Sequence, residues 1–309
     1  MRIVIALGGN ALGETPNSQK EKVALTTKLL LPLLKENHEI VFTHGNGPQV
    51  GLINDAFAIT NKYNENFCTM PFVECGAMTQ GYIGYHLQNA LMNELNNNNI
   101  KKDVVTILTE VLVDKDDQAF LNPTKPVGLY MTKEQSEKVP YPTKESPNGK
   151  GYRRVVASPK PLKIIEERTI DNLLKQNNIV IACGGGGIPV INNNNIYQGI
   201  DAVIDKDFVS SVLAKNIQAD LLIILTAVDD VSLNYRKENE IHLHNLSNKD
   251  IEKYQKDNHF QAGSMLPKVL ACKEFVEYNH TSKAIITSIE KAWDAVNNTD
   301  VGTHIYFEK

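Results

Sequence analysis

The sequence lacks the marks of a membrane, secreted or polyanion-binding protein. It has one tryptophan and four cysteines in 309 residues. Lysine plus arginine (32) nearly balance aspartate plus glutamate (36), for a formal net charge of −4. That balance gives no electrostatic case for a nucleic-acid partner. No apolar run approaches the ~20 residues of a membrane span. Arg2 is followed only by the short stretch from Ile3 to Leu7 before Gly8-Gly9, too short for a signal peptide. The expected location is the cytoplasm. Cys68, Cys75, Cys183 and Cys272 form no Cys-x-x-Cys pair and no zinc spacing with histidine, and are expected to be reduced and buried. Several catalytic signatures are also missing. There is no Gly-x4-Gly-Lys-Ser/Thr, no Gly-x-Gly-x-x-Gly, no His-Glu-x-x-His, no Gly-x-Ser-x-Gly and no His-Arg-Asp.

What remains is an ordinary globular composition, 42% hydrophobic and 22% charged. The length allows two lobes or one large α/β domain. Short apolar runs that read as buried strands alternate with helical patterns. The first run, from Ile3 to Leu7, ends in Gly8-Gly9. A helical pattern follows over residues 17–37, with Pro32 inside it expected to kink or split the helix. Ile40 to Thr43 is the next strand, and helical patterns follow over 53–61 and 76–95. Residues 104–113, 179–183, 221–226 and 284–287 read as further strands, with a helix over 266–278. Such alternation argues a mainly parallel sheet with helices on both faces and ligands at the carboxyl ends of the strands. The asparagine runs at 96–99 and 192–195 read as surface turns. Residues 114–153 break the rhythm, with Pro123, Pro126, Pro140, Pro142 and Pro147. They read as a lid-like excursion with a small core of Phe120, Val127, Leu129 and Tyr130.

Three glycine loops fall at strand ends: Gly8-Gly9-Asn10, His44-Gly45-Asn46-Gly47-Pro48 and the run 184–187. Glycine lets backbone N–H groups approach an anion, and three such loops together point to a phosphate site. Lysines are the candidate countercharges. Lys206 lies between Asp205 and Asp207 at a helix start, so a carboxylate can hold it stiff. At ~4 Å and an effective dielectric near 20, a charge pair is worth about 4 kcal/mol. Lys268 follows Pro267 at another helix start, and Lys125 sits in Pro123-Thr124-Lys125-Pro126 within the excursion. These lysines could stabilise a phosphoryl transition state.

Taken in order, these stretches resemble the carbamate kinases of the amino-acid kinase superfamily. They include Ala6-Leu7-Gly8-Gly9-Asn10-Ala11-Leu12, Thr43-His44-Gly45-Asn46-Gly47-Pro48-Gln49-Val50-Gly51 and Gly76-Ala77-Met78-Thr79-Gln80-Gly81-Tyr82-Ile83-Gly84-Tyr85. Pro123-Thr124-Lys125-Pro126-Val127-Gly128, Val155-Val156-Ala157-Ser158-Pro159-Lys160-Pro161, Ala202-Val203-Ile204-Asp205-Lys206-Asp207 and Gly263-Ser264-Met265-Leu266-Pro267-Lys268-Val269 complete the set, with Ile181 to Val190 around the glycine run. The resemblance implies an α/β fold with an open, mostly parallel eight-stranded sheet sandwiched between helices. It implies an N-terminal carbamate-binding lobe over about 1–175, a protruding subdomain over about 114–153 and a C-terminal nucleotide-binding lobe over about 176–309. It implies reversible transfer of phosphate between ATP and carbamate, usually run toward ATP synthesis in arginine fermentation, by a homodimer joined through the N-terminal lobe.

The resemblance also implies roles. Gly8, Gly9 and Asn10 touch the transferring phosphoryl group, and Asn46, Gly47 and Gly51 belong to the carbamate pocket. Lys125 is the lid lysine. Lys206 and Lys268 flank the phosphoryl path, and Asp207 fixes them. Thr226, Ala227, Asp229 and Tyr235 border the nucleotide, with Met265 and Pro267 opposite. Mg2+ arrives on the nucleotide phosphates, with no dedicated protein cage expected. Acetylglutamate-type members carry a lysine in strand one just before Gly-Gly, where this chain has Ala6 and Leu7. The run from Gly128 to Thr132 departs from the usual one after the lid lysine. Two other readings are a sister small-acid kinase and a catalytically inactive nucleotide-sensing dimer. A carbamoyltransferase would need a Ser-Thr-Arg-Thr-type loop, which is absent.

Overall fold

Alternate residues of strand β1 (Arg2–Leu7) enter two different cores. Val4 and Ala6 point into one, Ile3, Ile5 and Leu7 into the other, and all five are fully buried. A strand buried on both faces reads as a continuous apolar run, as this one does. The computed structural model describes residues 1–13, 15–146 and 149–309, with the side chain of Asn10 left aside. Seven further strands join β1: β2 (Glu39–His44), β3 (Val104–Thr106), β4 (Ile179–Ile181), β5 (Leu221–Thr226), β6 (Asn245–Ser247), β7 (Lys283–Ser288) and β8 (Thr303–Tyr306). Their order across the sheet is β6-β8-β7-β5-β1-β2-β4-β3. All neighbours are parallel except β7 and β8.

Helices cover both faces. On the Ile3 side lie α1 (Pro16–Lys35), through Val23, Leu30 and Leu33, and α3 (Phe72–Asn97), through Ile83, Leu87 and Leu91. On the Val4 side lie α4 (Glu167–Lys175), α5 (Lys206–Asn216) and, after α6 (Asn248–Lys256), α7 (Met265–Tyr278). Helix α2 (Gly47–Tyr63) follows β2 directly, and α8 (Ala292–Asn297) packs Ala292 and Ala295 on the Ile3 side. The expected α/β sandwich is therefore present.

Four local expectations change. Helix α1 is not split at Pro32, which costs it the one hydrogen bond to the Lys28 carbonyl while Leu30, Leu33 and Leu34 around it stay buried. The apolar stretch 104–113 divides into β3 and a separate strand, Glu110–Val113, in a four-stranded sheet with Pro161–Ile164, Ile188–Asn193 and Ile196–Gly199. Of the four residues expected to form the core of the excursion, Val127 alone is fully buried; Leu129 and Tyr130 are 61% and 44% exposed, and Phe120 packs on the main core instead. Cys68 is exposed, while the other three cysteines are buried and free. The asparagine runs do turn the chain. Asn99 adopts positive φ, and so do Asn194 and Asn195 between paired strands.

The excursion is a three-stranded sheet of Lys125–Met131, Tyr152–Val156 and Thr143–Glu145; Pro147 lies outside the described residues. Its root is pinned to α2. The Arg154 guanidinium lies 4.4 Å from the Phe72 ring and 4.5 Å from the Tyr141 ring, and donates to Asn54 Oδ1 at 2.9 Å. Gly51 meets Gly128 so closely that a Cβ on Gly51 would stand 2.0 Å from the Gly128 Cα. Gly51→Ala should therefore destabilise the protein by about 1–3 kcal/mol, an overpacking cost. Gly76→Ala, where a Cβ meets nothing within 4 Å, should cost nothing or stabilise slightly. Urea midpoints of the two variants check this, and equal midpoints would refute the close-packing account.

Candidate active site

The first turn of α5 begins where the chain crosses the carboxyl ends of the central strands. Asp205 is its N-cap, with its Oδ1 accepting the Asp207 N–H at 2.9 Å. Lys206 and Asp207 follow, and Asp207 turns into the protein with its side chain only 4% exposed. A carboxylate buried so deeply needs partners. It has two: Lys206 Nζ donates to Oδ1, and Lys268 Nζ donates to Oδ2 at 3.1 Å. Lys268 comes from the first turn of α7 and also donates to the Ser264 carbonyl at 3.1 Å. Burial works against the Asp207 charge, but the two ammonium groups outweigh it and hold the pKa down at about 2. For Lys206, burial lowers the pKa and the repulsion of Lys268 adds to that, while Asp207 opposes both.

Lys125, at the start of the excursion's first strand, closes the group. Its Nζ donates to Asp205 Oδ2 at 2.5 Å, across 80 positions of sequence. All five charged side chains line one cavity of about 260 Å³. Three ammonium groups against two carboxylates leave it one net positive charge, which suits an anionic ligand.

The loops supply the walls. Gly9, in the turn after β1, and Gly45, Asn46 and Gly47, after β2, line the cavity. Asn46 is held by its side chain: Nδ2 donates to Thr79 Oγ1 at 2.9 Å, and Thr79 donates on to the Gly76 carbonyl at 2.6 Å. Gln49 Nε2 donates to the Gly13 carbonyl at 2.7 Å. His44 is fully buried, and burial pushes its pKa down to about 4, so it is neutral at pH 7 with Nδ1 donating to the Gly45 carbonyl. The glycine run at 184–187 serves mainly to fit. A Cβ on Gly184 would strike the His44 ring, one on Gly185 the Asn46 amide, one on Gly186 the Ile204 carbonyl and one on Gly187 Val111. Only Gly185 of the four reaches the cavity.

The structure gathers Lys125, Lys206, Asp207, Lys268, Gly9, Asn46, Gly47 and Pro267 around one space. Gly8 precedes the turn without lining it; the Asn10 backbone lies in the turn, and its side chain is outside the described residues. Gly51 lies away from this cavity, against Gly128. Five residues assigned to the nucleotide lie outside the lining. Thr226 ends β5, one residue beyond the Leu7–Leu225 pairing that sets it beside Gly8. Ala227 and Asp229 follow in an exposed turn, and Thr287 Oγ1 donates to the Asp229 carbonyl at 3.0 Å. Tyr235 sits in a hairpin loop beneath the Arg236 guanidinium, and Met265 opens α7 against the core. Asp205, Gln49, Thr79 and Ser264 are the residues that sequence reasoning did not assign. Asp205 left a signal as the other carboxylate beside Lys206, and the other three stand within the stretches that carry the family resemblance.

The depressed pKa of Asp207 has a measurable consequence. Its folded value lies below the ordinary 3.8, so its stabilisation is complete above about pH 4 and is lost as pH falls toward 2. Asp207→Asn should cost about 3–5 kcal/mol at pH 7, because two ammonium groups lose their counter-charge. The gap from wild type should narrow between pH 4 and pH 2. Denaturant unfolding across that range measures it, and a gap independent of pH would contradict the assignment.

The chain matches the Amino acid kinase family over residues 1–288. It is 49% identical to carbamate kinase 2 of Staphylococcus epidermidis and 49% identical to carbamate kinase 3 of Staphylococcus aureus, each match covering 98% of this chain and 99% of the relative. Among solved structures, carbamate kinase from Giardia lamblia bound to AMP-PNP superposes with a TM-score of 0.90 at 40% identity, covering 99% of this chain and 98% of that one. With the cavity at the carboxyl ends of a mostly parallel sheet, these matches place the chain in the amino acid kinase family, among the carbamate kinases.

Proposed function

We propose that the chain transfers a phosphoryl group reversibly between ATP and carbamate. The carrying observation is the Lys125, Lys206, Lys268 cluster fixed by Asp205 and Asp207 in one cavity. Near-full-length identity to carbamate kinases supports carbamate as the acceptor, and a structural relative bound to AMP-PNP supports an adenine nucleotide. In the ATP-forming direction a β-phosphate oxygen of ADP attacks the phosphorus of carbamoyl phosphate. The bond from phosphorus to the carbamate oxygen breaks, and carbamate leaves with its electron pair. No proton has to move, so positioning and charge suffice.

Within this reading Lys206 and Lys268 lie on either side of the transferring group, and Asp207 holds them together and aimed. Lys125 neutralises charge from the lid side. Gly8, Gly9 and Asn10 meet the phosphoryl group, and Asn46 and Gly47 border carbamate. The nucleotide lies toward Thr226, Ala227, Asp229 and Tyr235, with Met265 and Pro267 opposite. The N-terminal lobe, about 1–175 with its protruding part about 114–153, takes carbamate, and residues 176–309 take the nucleotide.

Mg2+ is part of the nucleotide substrate in this scheme. Among the described residues no group of three or more histidine, cysteine, aspartate or glutamate side chains is placed to hold a metal. Both cavity carboxylates are already held by lysines, which supports a metal carried by the phosphates. We further propose a cytoplasmic homodimer that forms ATP at the end of arginine breakdown. Among the described residues no helix is long and apolar enough to cross a membrane. The exposed Leu52, Ile59 and Tyr63 of α2 and Tyr85 of α3 suit a self-association face on the N-terminal lobe.

The test is ATP formation from Mg-ADP and carbamoyl phosphate, corrected for spontaneous breakdown of carbamoyl phosphate. Wild type should turn over. Lys125→Ala and Lys206→Ala should each lower kcat by about 10²–10³, the usual loss of one preorganised charge, with KM for ADP nearly unchanged for Lys125→Ala. No ATP from a protein that still binds ADP would favour a sister small-acid kinase or a nucleotide-sensing dimer. A substrate panel separates those two.

A further inference from the structure

We propose that Asp205 is a positioning residue that acts through Lys125, setting where the lid lysine stands relative to Lys206. The proposal rests on the phosphotransfer reading above for its kinetic consequences, but not for its structural one.

The two carboxylate oxygens of Asp205 do different work. Oδ1 accepts the Asp207 N–H and so fixes the first turn of α5, which carries Lys206 and Asp207. Oδ2 accepts Lys125 Nζ from the excursion. One side chain thereby ties the phosphoryl-side helix to the lid strand. The pair reaches from the excursion's first strand to the first turn of α5. The division of labour among the carboxylates is also fixed. Asp207 is saturated by Lys206 and Lys268, so Asp205 is the one cavity carboxylate left for Lys125. The Lys125 and Asp205 side chains are 33% and 18% exposed, so water can enter and the bond can exchange for a phosphate oxygen when an anion arrives.

The alternative is a parking role, in which Asp205 withholds Lys125 from the anion. The two roles predict opposite kinetics. Asp205→Asn keeps an N-cap acceptor while removing the charge, and Asp205→Ser is a second capping variant should the first fail to fold. If Asp205 positions Lys125, Asp205→Asn lowers kcat about tenfold and raises KM for carbamoyl phosphate, with KM for ADP within about twofold. In a Lys125→Ala background the same change should add less than about twofold, since its partner is gone. A structural role would lower kcat by the same factor in both backgrounds and overturn the proposal. A lower KM for carbamoyl phosphate with undiminished kcat would establish parking and overturn it too.

Hydrogen exchange of the Lys125–Met131 amides gives a readout free of turnover. Exchange should quicken to the same extent in Asp205→Asn, Lys125→Ala and the double variant. That result in a protein without carbamate kinase activity would sink the functional reading and keep the tie. Unchanged exchange in Asp205→Asn would remove the tie whatever the enzyme does.

Discussion

A single buried carboxylate organises the site. Asp207 is held charged by Lys206 and Lys268, and they in turn remain close together only because it lies between them. Two ammonium groups within reach of one another repel, and in a part-buried site that repulsion is poorly screened. Without the carboxylate the helices carrying them, α5 and α7, would be pushed apart at their first turns. Those helices pack side by side on the Val4 face of the sheet through Val209, Leu213, Val269 and Cys272. The electrostatic arrangement and the core packing thus constrain the same two first turns.

The sheet explains why those turns meet the glycine loops. Strand β1 has β5 on one side and β2 on the other, all parallel, so their carboxyl ends emerge along one edge. The chain leaves β1 at Gly8, β2 at Gly45 and β4 at Cys183, and each exit turns toward the opening over that edge. The last exit is tightly packed. Cys183 is left-handed, and three glycines after it have positive φ, so the backbone folds under itself against His44, Asn46 and Ile204. Gln80 secures the fold from below. Its Nε2 donates to the Thr109 and Gly184 carbonyls, each at 3.1 Å, and its Oε1 accepts the Thr109 N–H. A neutral His44 fits there; a charged one would bring an unpaired cation beside Lys206.

What the sequence discloses depends on the distance over which each feature is determined. The central strands are legible because an apolar run buried on both faces is a local pattern, and β1, β2, β5 and β7 fall where such runs stand. The glycine loops and the lysines at helix starts are legible for the same reason. Pro32 misleads because a proline removes one hydrogen bond, here to the Lys28 carbonyl, and α1 keeps enough packing through Val23, Leu30, Leu33 and Leu34 to outlast that loss. Leu129 and Tyr130 mislead because apolar character alone does not say that a small sheet has a partner to cover that face. The Gly51–Gly128 contact and the Lys125–Asp205 bond join segments far apart in the chain, and no local pattern announces either. The glycine run at 184–187 was legible as special, but its reason, the shapes of His44, Asn46, Ile204 and Val111, belongs to the tertiary structure.

The charge balance of the cavity bears on reversibility. Three lysines would bind a multiply charged phosphate tightly and release it slowly, stabilising the bound ground state along with the transition state. Asp207 changes that. Asp207 turns the strong field of Lys206 and Lys268 into a directed one, since each ammonium group keeps one bond to it and Lys268 gives a second to the Ser264 carbonyl. Asp205 fixes where Lys125 stands, its Oδ2 accepting the lysine Nζ at 2.5 Å. On the proposed phosphotransfer reading, a cavity so arranged favours the point where charge is spread over the transferring phosphoryl group, between two anionic oxygens, over either end state. A site of this kind is suited to a reaction that must run both ways, because Asp207 offsets part of the charge of Lys206 and Lys268 whichever side the phosphoryl group stands on.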